Sequence, residues 1–258
     1  MVNFILGVSL VHVETSGLVI KEQSVGENDR LITILTAKYG LVRAFVRGSK
    51  SLKSKLLAGT QLLTYSDFVL FKGKDSYSVD SANAKNVFFD LRSDIESLSI
   101  AFYLCELFLE LAPENDDATE LLRLLLNSLY LMNEKKADRL KVKAVAELRA
   151  MSISGFAPNL VACENCGEFE SPSVYFNLDK GIFYCEKCNH GRVGVHISFS
   201  TLTAMRHIIY SEPKKIFSFE LKDTSLKELT TVTESYMLAH VEKHIKTLDF
   251  YKSVATMI

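Results

Sequence analysis

"SGLVIKEQSVGENDRLITILTAKYGLVRAFVRGSK", Ser16 to Lys50, consists of short runs of Val, Ile, Leu, Phe and Thr separated by glycine-containing turns. Branched and aromatic side chains suit a pleated surface, and turns spaced about 8–12 residues apart mark a succession of short strands. "LLTYSDFVLFKGKDSYSVDS", Leu62 to Ser81, continues the pattern. The stretch 1–85 therefore reads as a small β domain.

Beyond it the apolar period changes. Ile95, Leu98, Phe102, Cys105 and Leu109, then Leu121, Leu124, Leu125 and Leu129, recur three and four residues apart, the spacing of helix faces. "PENDD", Pro113 to Asp117, breaks the first helix from the second, with Asp117 as the expected N-cap. A third helix, "KKADRLKVKAVAELRAMSIS", ends near Gly155 and Pro158. Helical patterning resumes in "STLTAMRHIIYS" and in "SLKELTTVTESYMLAHVEKHIKTL", which opens on a capping-box pattern from Ser225 to Glu228. Residues 86–258 are thus expected to be an α-helical domain interrupted at about 159–196 by a cysteine-bearing insert. Leu107, Leu111, Leu122 and Leu126 read as core of that domain.

At 258 residues and 48% hydrophobic composition, the chain can bury a full core without covalent staples. The formal charge of −1 carries no global nucleic-acid signature, so any such signal is local. Met1–Leu10 is apolar but lacks a basic leader and is too short to span a bilayer; it reads as a strand or an ordered tail with no assigned role. An odd cysteine total, with Cys105 alone in an apolar helix, and no secretory signal imply a reducing cytoplasm and no membrane.

"CENCGEFESPSVYFNLDKGIFYCEKC", Cys163 to Cys188, holds two Cys-x-x-Cys pairs with 18 residues between them. Thiolates are soft ligands, and four in tetrahedral array suit Zn²⁺. A two-residue gap lets one tight turn present both sulfurs of a pair, and "VYFNL", "DKG" and "IFYC" read as strand, turn and strand bringing the second pair opposite. Cys163, Cys166, Cys185 and Cys188 are therefore the expected ligands of one structural zinc. Four sulfurs close the coordination sphere, which disfavours a catalytic zinc. A redox role would call for a βαβ context that the pattern lacks. His190 is a further candidate ligand that reads better as a solvated loop residue. His240 and His244, four apart, read as an exposed helix pair.

"KYGLVRAFVRGSKSLKSK", Lys38 to Lys55, carries Lys38, Arg43, Arg47, Lys50, Lys53 and Lys55 and no acid. Strand alternation sends Val42, Ala44 and Val46 to one face and Leu41, Arg43, Phe45 and Arg47 to the other. The first face is core; the second interleaves a ring with two guanidinium groups. Cations neutralise phosphates and a ring offers a stacking platform, so Lys38, Arg43, Phe45, Arg47, Lys50, Lys53 and Lys55 are the candidate contacts to single-stranded nucleic acid. The competing reading is a solvated edge strand whose lysines block aggregation. About five strands over about 75 residues suit a small closed barrel such as an OB-fold, a common single-strand binder.

No nucleophile, base and oxyanion arrangement, P-loop or dinucleotide fingerprint is present in the sequence, so neither enzymatic activity nor a small-molecule substrate is expected. The enzyme alternative would be a zinc hydrolase using His190, His196 or Glu186. A further alternative is an RNA-binding or transcription-associated protein, in which barrels and zinc ribbons also occur.

Together these pieces resemble the RecO family of bacterial recombination mediators, in its zinc-bearing branch. The resemblance lies in the opening strand, the acidic turn before an apolar strand ending in Thr36, the Gly turn, "RG" and a Lys-Ser element. It continues in the cysteine unit with "YFNL" between the pairs and in the tail "HIKTLDFYKSV". Family members often carry a run of Arg where this chain has Ser49, Lys50 and Ser51. The resemblance implies an N-terminal OB-fold, an α-helical domain and an inserted zinc module. It further implies binding of single- and double-stranded DNA, annealing of complementary strands, and action with RecR. That pair would help RecA displace single-strand-binding protein in gap and break repair, in the bacterial cytoplasm at the nucleoid.

Overall fold

A computed structural model describes residues 11–48, 54–73, 76–191 and 194–256. Lys50, Lys53 and the stretch Met1–Leu10 lie outside the described residues. Two compact units emerge: Met1–Phe88 with Ala112–Leu122, and Phe89–Leu111 with Arg123–Ile258.

The first unit holds five strands, β1 (Val11–Val25), β2 (Asp29–Thr36), β3 (Gly40–Val46), β4 (Thr64–Lys72) and β5 (Tyr77–Val87). They form a closed barrel in the order β1-β2-β3-β5-β4, with β3 and β5 meeting in parallel at Ala44–Tyr77 and Phe45–Ser78. Alternation sets what lies inside. Ile32 faces Ala44 and Ile34 faces Val42 across the β2–β3 ladder, and these four join Val19, Val46, Phe68, Leu70, Val79 and Ala82 in the barrel core. Each large aliphatic or aromatic side chain buried there contributes about 1.5–3 kcal/mol. Arg30 shares the inward parity at the barrel's end and is buried. Its guanidinium donates to Thr60 Oγ1 at 2.7 Å and to Glu22 Oε2 at 3.0 Å, so the charge is paired and not left bare.

The acidic segment after the first helix belongs to this unit. Leu41 N–H donates to the Pro113 carbonyl at 2.9 Å, Asn115 N–H to Tyr39 at 3.1 Å and Ala118 N–H to Ala37 at 2.7 Å, laying Pro113–Ala118 along the β2–β3 turn. Gly40 makes this approach possible. Its φ is +58°, and a Cβ there would sit 2.0 Å from the Pro113 carbonyl oxygen.

The second unit contains α1 (Ile95–Leu111), most of α2 (Thr119–Asn133), α3 (Arg139–Ile153), α4 (Phe199–Tyr210), α5 (Asp223–His240) and α6 (Lys246–Ala255). α1 packs on α3 and α6, and α3 on α4 and α5. Asp138 caps α3, accepting from Leu140 N–H at 2.8 Å and Lys141 N–H at 3.1 Å. Asp117 lies one residue before the expected N-cap position, since α2 begins at Thr119 and Ala118 accepts its first helical bond from Leu122 N–H; the Asp117 carboxylate still accepts from Thr119 N–H at 3.3 Å.

Several local expectations are corrected. The capping box at Ser225–Glu228 does not form, because α5 begins at Asp223. Glu228 instead accepts from Ser198 N–H at 3.1 Å and Ser198 Oγ at 2.5 Å, at the N-terminus of α4. Glu106 of α1 serves α6 in the same way, accepting from Thr247 N–H at 2.9 Å and Thr247 Oγ1 at 2.6 Å. A carboxylate is favourable at both places because exposed amide groups and the helix dipole converge there. The buried stripe of α1 is also displaced: of the expected residues Cys105 is buried, Leu98, Phe102 and Leu109 are half-buried and Ile95 is exposed, while Ile100, Tyr103, Leu104, Leu107 and Phe108 are buried. α5 ends at His240, whose ring packs on Tyr236, and His244 lies beyond it, paired with Asp249 at 2.9 Å, so the two histidines share no helix.

At the centre of the helical unit sits a fully buried ion pair. Lys143 donates to Glu147 at 2.6 Å and to Glu234 at 2.8 Å, and Glu147 also accepts from Tyr103 Oη at 2.7 Å and Thr233 Oγ1 at 2.8 Å. Burial opposes the charge on Lys143, but the two carboxylates outweigh it and hold its pKa above the usual lysine value.

Candidate functional site

The cysteine segment folds as a three-stranded sheet ordered β7-β6-β8, from β6 (Ser173–Asn177), β7 (Ile182–Cys185) and β8 (Val195–Ser198). β6, its turn and β7 are the strand, turn and strand read from sequence; β8 was not foreseen, since "VHIS" is too short to show a period. The hairpin brings the four sulfurs of Cys163, Cys166, Cys185 and Cys188 within 4.8 Å of one another. Cys166 and Cys185 Sγ are 3.7 Å apart. A tetrahedral centre with zinc–sulfur bonds of about 2.3 Å would place its sulfurs about 3.8 Å apart, so this edge has the right length.

Backbone and side-chain N–H groups both point at the sulfurs. Cys185 N–H donates to Cys163 Sγ at 3.3 Å, and Asn165 Nδ2 to Cys188 Sγ at 3.4 Å. Gly167, at φ +73°, closes the first turn with its N–H on the Cys163 carbonyl at 2.9 Å, a conformation that side chains disfavour. Burial pushes the Cys163 thiol up, yet the amides of Cys185, Cys166 and Asn165 bring it down to about 6. At Cys166 the Glu168 amide favours the thiolate, but the sulfurs of Cys188 and Cys163 drive its thiol up to about 12. Four thiolates this close repel one another unless a cation sits among them, so the donor set fits a soft divalent metal. Such an ion would brace the hairpin and supply no open position for chemistry. His190 is exposed, at φ +43°, and is not part of the group.

On the barrel, alternation along β3 places Val42, Ala44 and Val46 in the core and Arg43 outside with its side chain 65% exposed. Phe45 is half-buried on the outer face; Lys38 and Lys55 are exposed. β3 ends at Val46, so Arg47 is exposed in the following turn and not on the strand. Leu41, expected outside, is buried at 8% exposure beside the Pro113 segment.

That segment changes the electrostatics. The basic run is free of acids in sequence, but Glu114 reaches Arg43 at 3.0 Å. Beside them a groove of about 430 Å³ is lined by Leu31, Arg43, Phe45, Lys72, Tyr77 and Glu114, among others. Lys72, Tyr77 and Glu114 escaped the sequence reading. The signal for the first two was "FKGKDSYSV", a turn between strands with cations and a ring; Glu114 left no local signal at all. Among the described residues no helix is long and apolar enough to cross a membrane.

Two family models match the chain, Recombination protein O N terminal over residues 10–88 and Recombination protein O C terminal over residues 92–249. A protein of Acetivibrio thermocellus named DNA repair protein RecO is 40% identical over 244 residues, covering 94% of this chain and 97% of that protein. One of the same name from Alkaliphilus metalliredigens is 31% identical over 245 residues, covering 94% and 99%. The barrel-bearing and helical parts are each matched in chain order and almost end to end: the chain belongs to the RecO family.

Proposed function

We propose that this protein is a non-catalytic recombination mediator that binds single- and double-stranded DNA and anneals complementary strands. With RecR it would promote loading of RecA onto strands coated with single-strand-binding protein, in gap and break repair, in the bacterial cytoplasm at the nucleoid. Its DNA contacts are Lys38, Arg43, Phe45, Arg47, Lys50, Lys53 and Lys55, on an N-terminal OB-fold domain of residues 1–85 to which Ala112–Leu122 returns. The rest of residues 86–258 is a helical domain carrying a zinc module at about 159–196, with Cys163, Cys166, Cys185 and Cys188 holding one structural Zn²⁺.

The observation that carries this reading is the outer side of β3 and the turn after it, where exposed Arg43 and Arg47 flank the half-buried ring of Phe45. The barrel order supports the OB assignment, whose second and third strands form the usual oligonucleotide face. Annealing makes and breaks no covalent bond. Cations that replace condensed counterions lower the repulsion between two strands, and stacking on a ring tolerates any base until it pairs.

The test is annealing of complementary oligonucleotides coated with single-strand-binding protein, comparing the parent with a variant in which Arg43, Arg47, Lys50, Lys53 and Lys55 are all Gln. The variant is expected to anneal slowly and to bind single strands with a shallower salt dependence, by about 0.7 in log–log slope per lost phosphate contact. Parental annealing and slope in the folded variant would refute the assignment of the surface.

A further inference from the structure

The groove beside β3 gathers groups that the basic run alone does not include. Arg43 and Lys72, both exposed, stand on its walls, and the outer part of Phe45 faces it. Tyr77 rests partly on the barrel core and presents its remaining surface to the groove; the Lys72 ammonium lies 5.9 Å from its ring centroid. Gly73 and Ser76 complete the rim from the β4–β5 turn. A volume of about 430 Å³ is that of a small-molecule cleft, room for a base and its sugar but not for a stacked duplex.

Glu114 already occupies the anion position. Its carboxylate meets the Arg43 guanidinium at 3.0 Å, with side chains 54% and 65% exposed, so water screens the pair and a competing anion can replace it. It cannot drift away, because Pro113 and Asn115 are hydrogen-bonded to Leu41 and Tyr39 on either side. A tethered competitor acts at high effective concentration.

We propose that this groove takes one unstacked nucleotide of a single DNA strand, with Lys72 as a further phosphate contact and Glu114 as a resident anion that phosphate displaces from Arg43. The proposal rests on the reading of β3 as a DNA-binding surface. Glu114 thereby sets a threshold: a lone phosphate gains little, whereas a strand engaging several cations together replaces the carboxylate.

The experiment is fluorescence anisotropy of a labelled oligo-dT strand and of a blunt duplex, titrated at low and moderate salt with Glu114→Gln, Lys72→Gln, Arg43→Gln and the Arg43→Gln/Glu114→Gln double variant. Both Glu114 and Lys72 are exposed, so the variants keep the fold. Glu114→Gln is expected to tighten single-strand binding by up to about 5-fold at low salt, an effect that shrinks as salt rises. The gain disappears in the Arg43→Gln background and is smaller on the duplex. Lys72→Gln weakens binding and lowers the salt slope by about 0.7. Unchanged or weaker binding by Glu114→Gln, a gain that persists without Arg43, equal gains on both substrates, or a parental slope for Lys72→Gln would each overturn the proposal. If the five-cation variant loses binding while these results fail, the groove assignment alone falls; if that variant also binds normally, the β3 surface falls with it.

Discussion

Replacing Glu147 with Ala removes the acceptor on which three buried groups converge, Lys143 Nζ at 2.6 Å, Tyr103 Oη at 2.7 Å and Thr233 Oγ1 at 2.8 Å. Neither Lys143 nor Glu147 exposes any side-chain surface, so water cannot take over. Breaking a buried pair by removing one partner costs about 3–5 kcal/mol, and each neutral donor left bare adds about 1–3 kcal/mol. Glu234 still holds the ammonium at 2.8 Å, which keeps the expected total near the lower figure, about 3–5 kcal/mol. With a urea slope of about 2–3 kcal/mol/M, the midpoint of helix loss should fall by about 1–2.5 M in far-ultraviolet circular dichroism. Replacing the pair together, as Lys143→Met with Glu147→Leu, should recover part of that loss, because no unpaired charge then remains in the interior. A midpoint within about 0.3 M of the parent for Glu147→Ala, or a double variant less stable than Glu147→Leu alone, would refute the view that this carboxylate is held for its partners.

Two further outcomes follow from the same geometry. The purified, untagged protein should contain about one zinc per chain, and stripping it, or making Cys163→Ser, should abolish amide-exchange protection in β6 and β7 while leaving the barrel strands protected, since such sites contribute on the order of 10 kcal/mol of folding free energy. Persistent protection in the stripped protein would show that the hairpin stands without metal. Acid should destabilise the helical unit: burial raises the pKa values of Glu106, Glu228 and Glu234, but hydrogen bonds at the first two and Lys143 and Lys252 at the third bring all three below the usual 4.5. A depressed folded pKa gives stability that is present above the unfolded value and lost as pH falls through the folded one. Unfolding measured between pH 6 and pH 3 should therefore show a decline below about 4.5 that Glu106→Gln and Glu228→Gln each make shallower; an unaltered decline in both variants would place the titrating groups elsewhere.

Much of this molecule was legible because the relevant physics is local. The period of two along Gly40–Val46 fixes which side chains enter the barrel, and the observed core of Val42, Ala44 and Val46 follows from it. Paired cysteines two residues apart, joined by a hairpin, converge for the same reason: turn and strand geometry act over a few residues. Helix ends were harder. Glu228 has the spacing of a box with Ser225 but serves α4 instead, because α5 starts at Asp223 and makes Ser225 its third helical residue, not its N-cap.

What tertiary structure alone decided is where the charges go. Glu114 and Arg43 are 71 residues apart, and Lys143 and Glu234 are 91 apart, so no periodicity links either pair. A charge is worth little on a solvated face and a great deal in a dry interior, and the chain's path determines which environment it meets. Composition and spacing determined a β domain, a helical domain and a four-sulfur cluster. The return of Pro113–Ala118 onto the β2–β3 turn, admitted by a glycine whose missing Cβ leaves space for a carbonyl, decided that the basic strand carries an acid beside it.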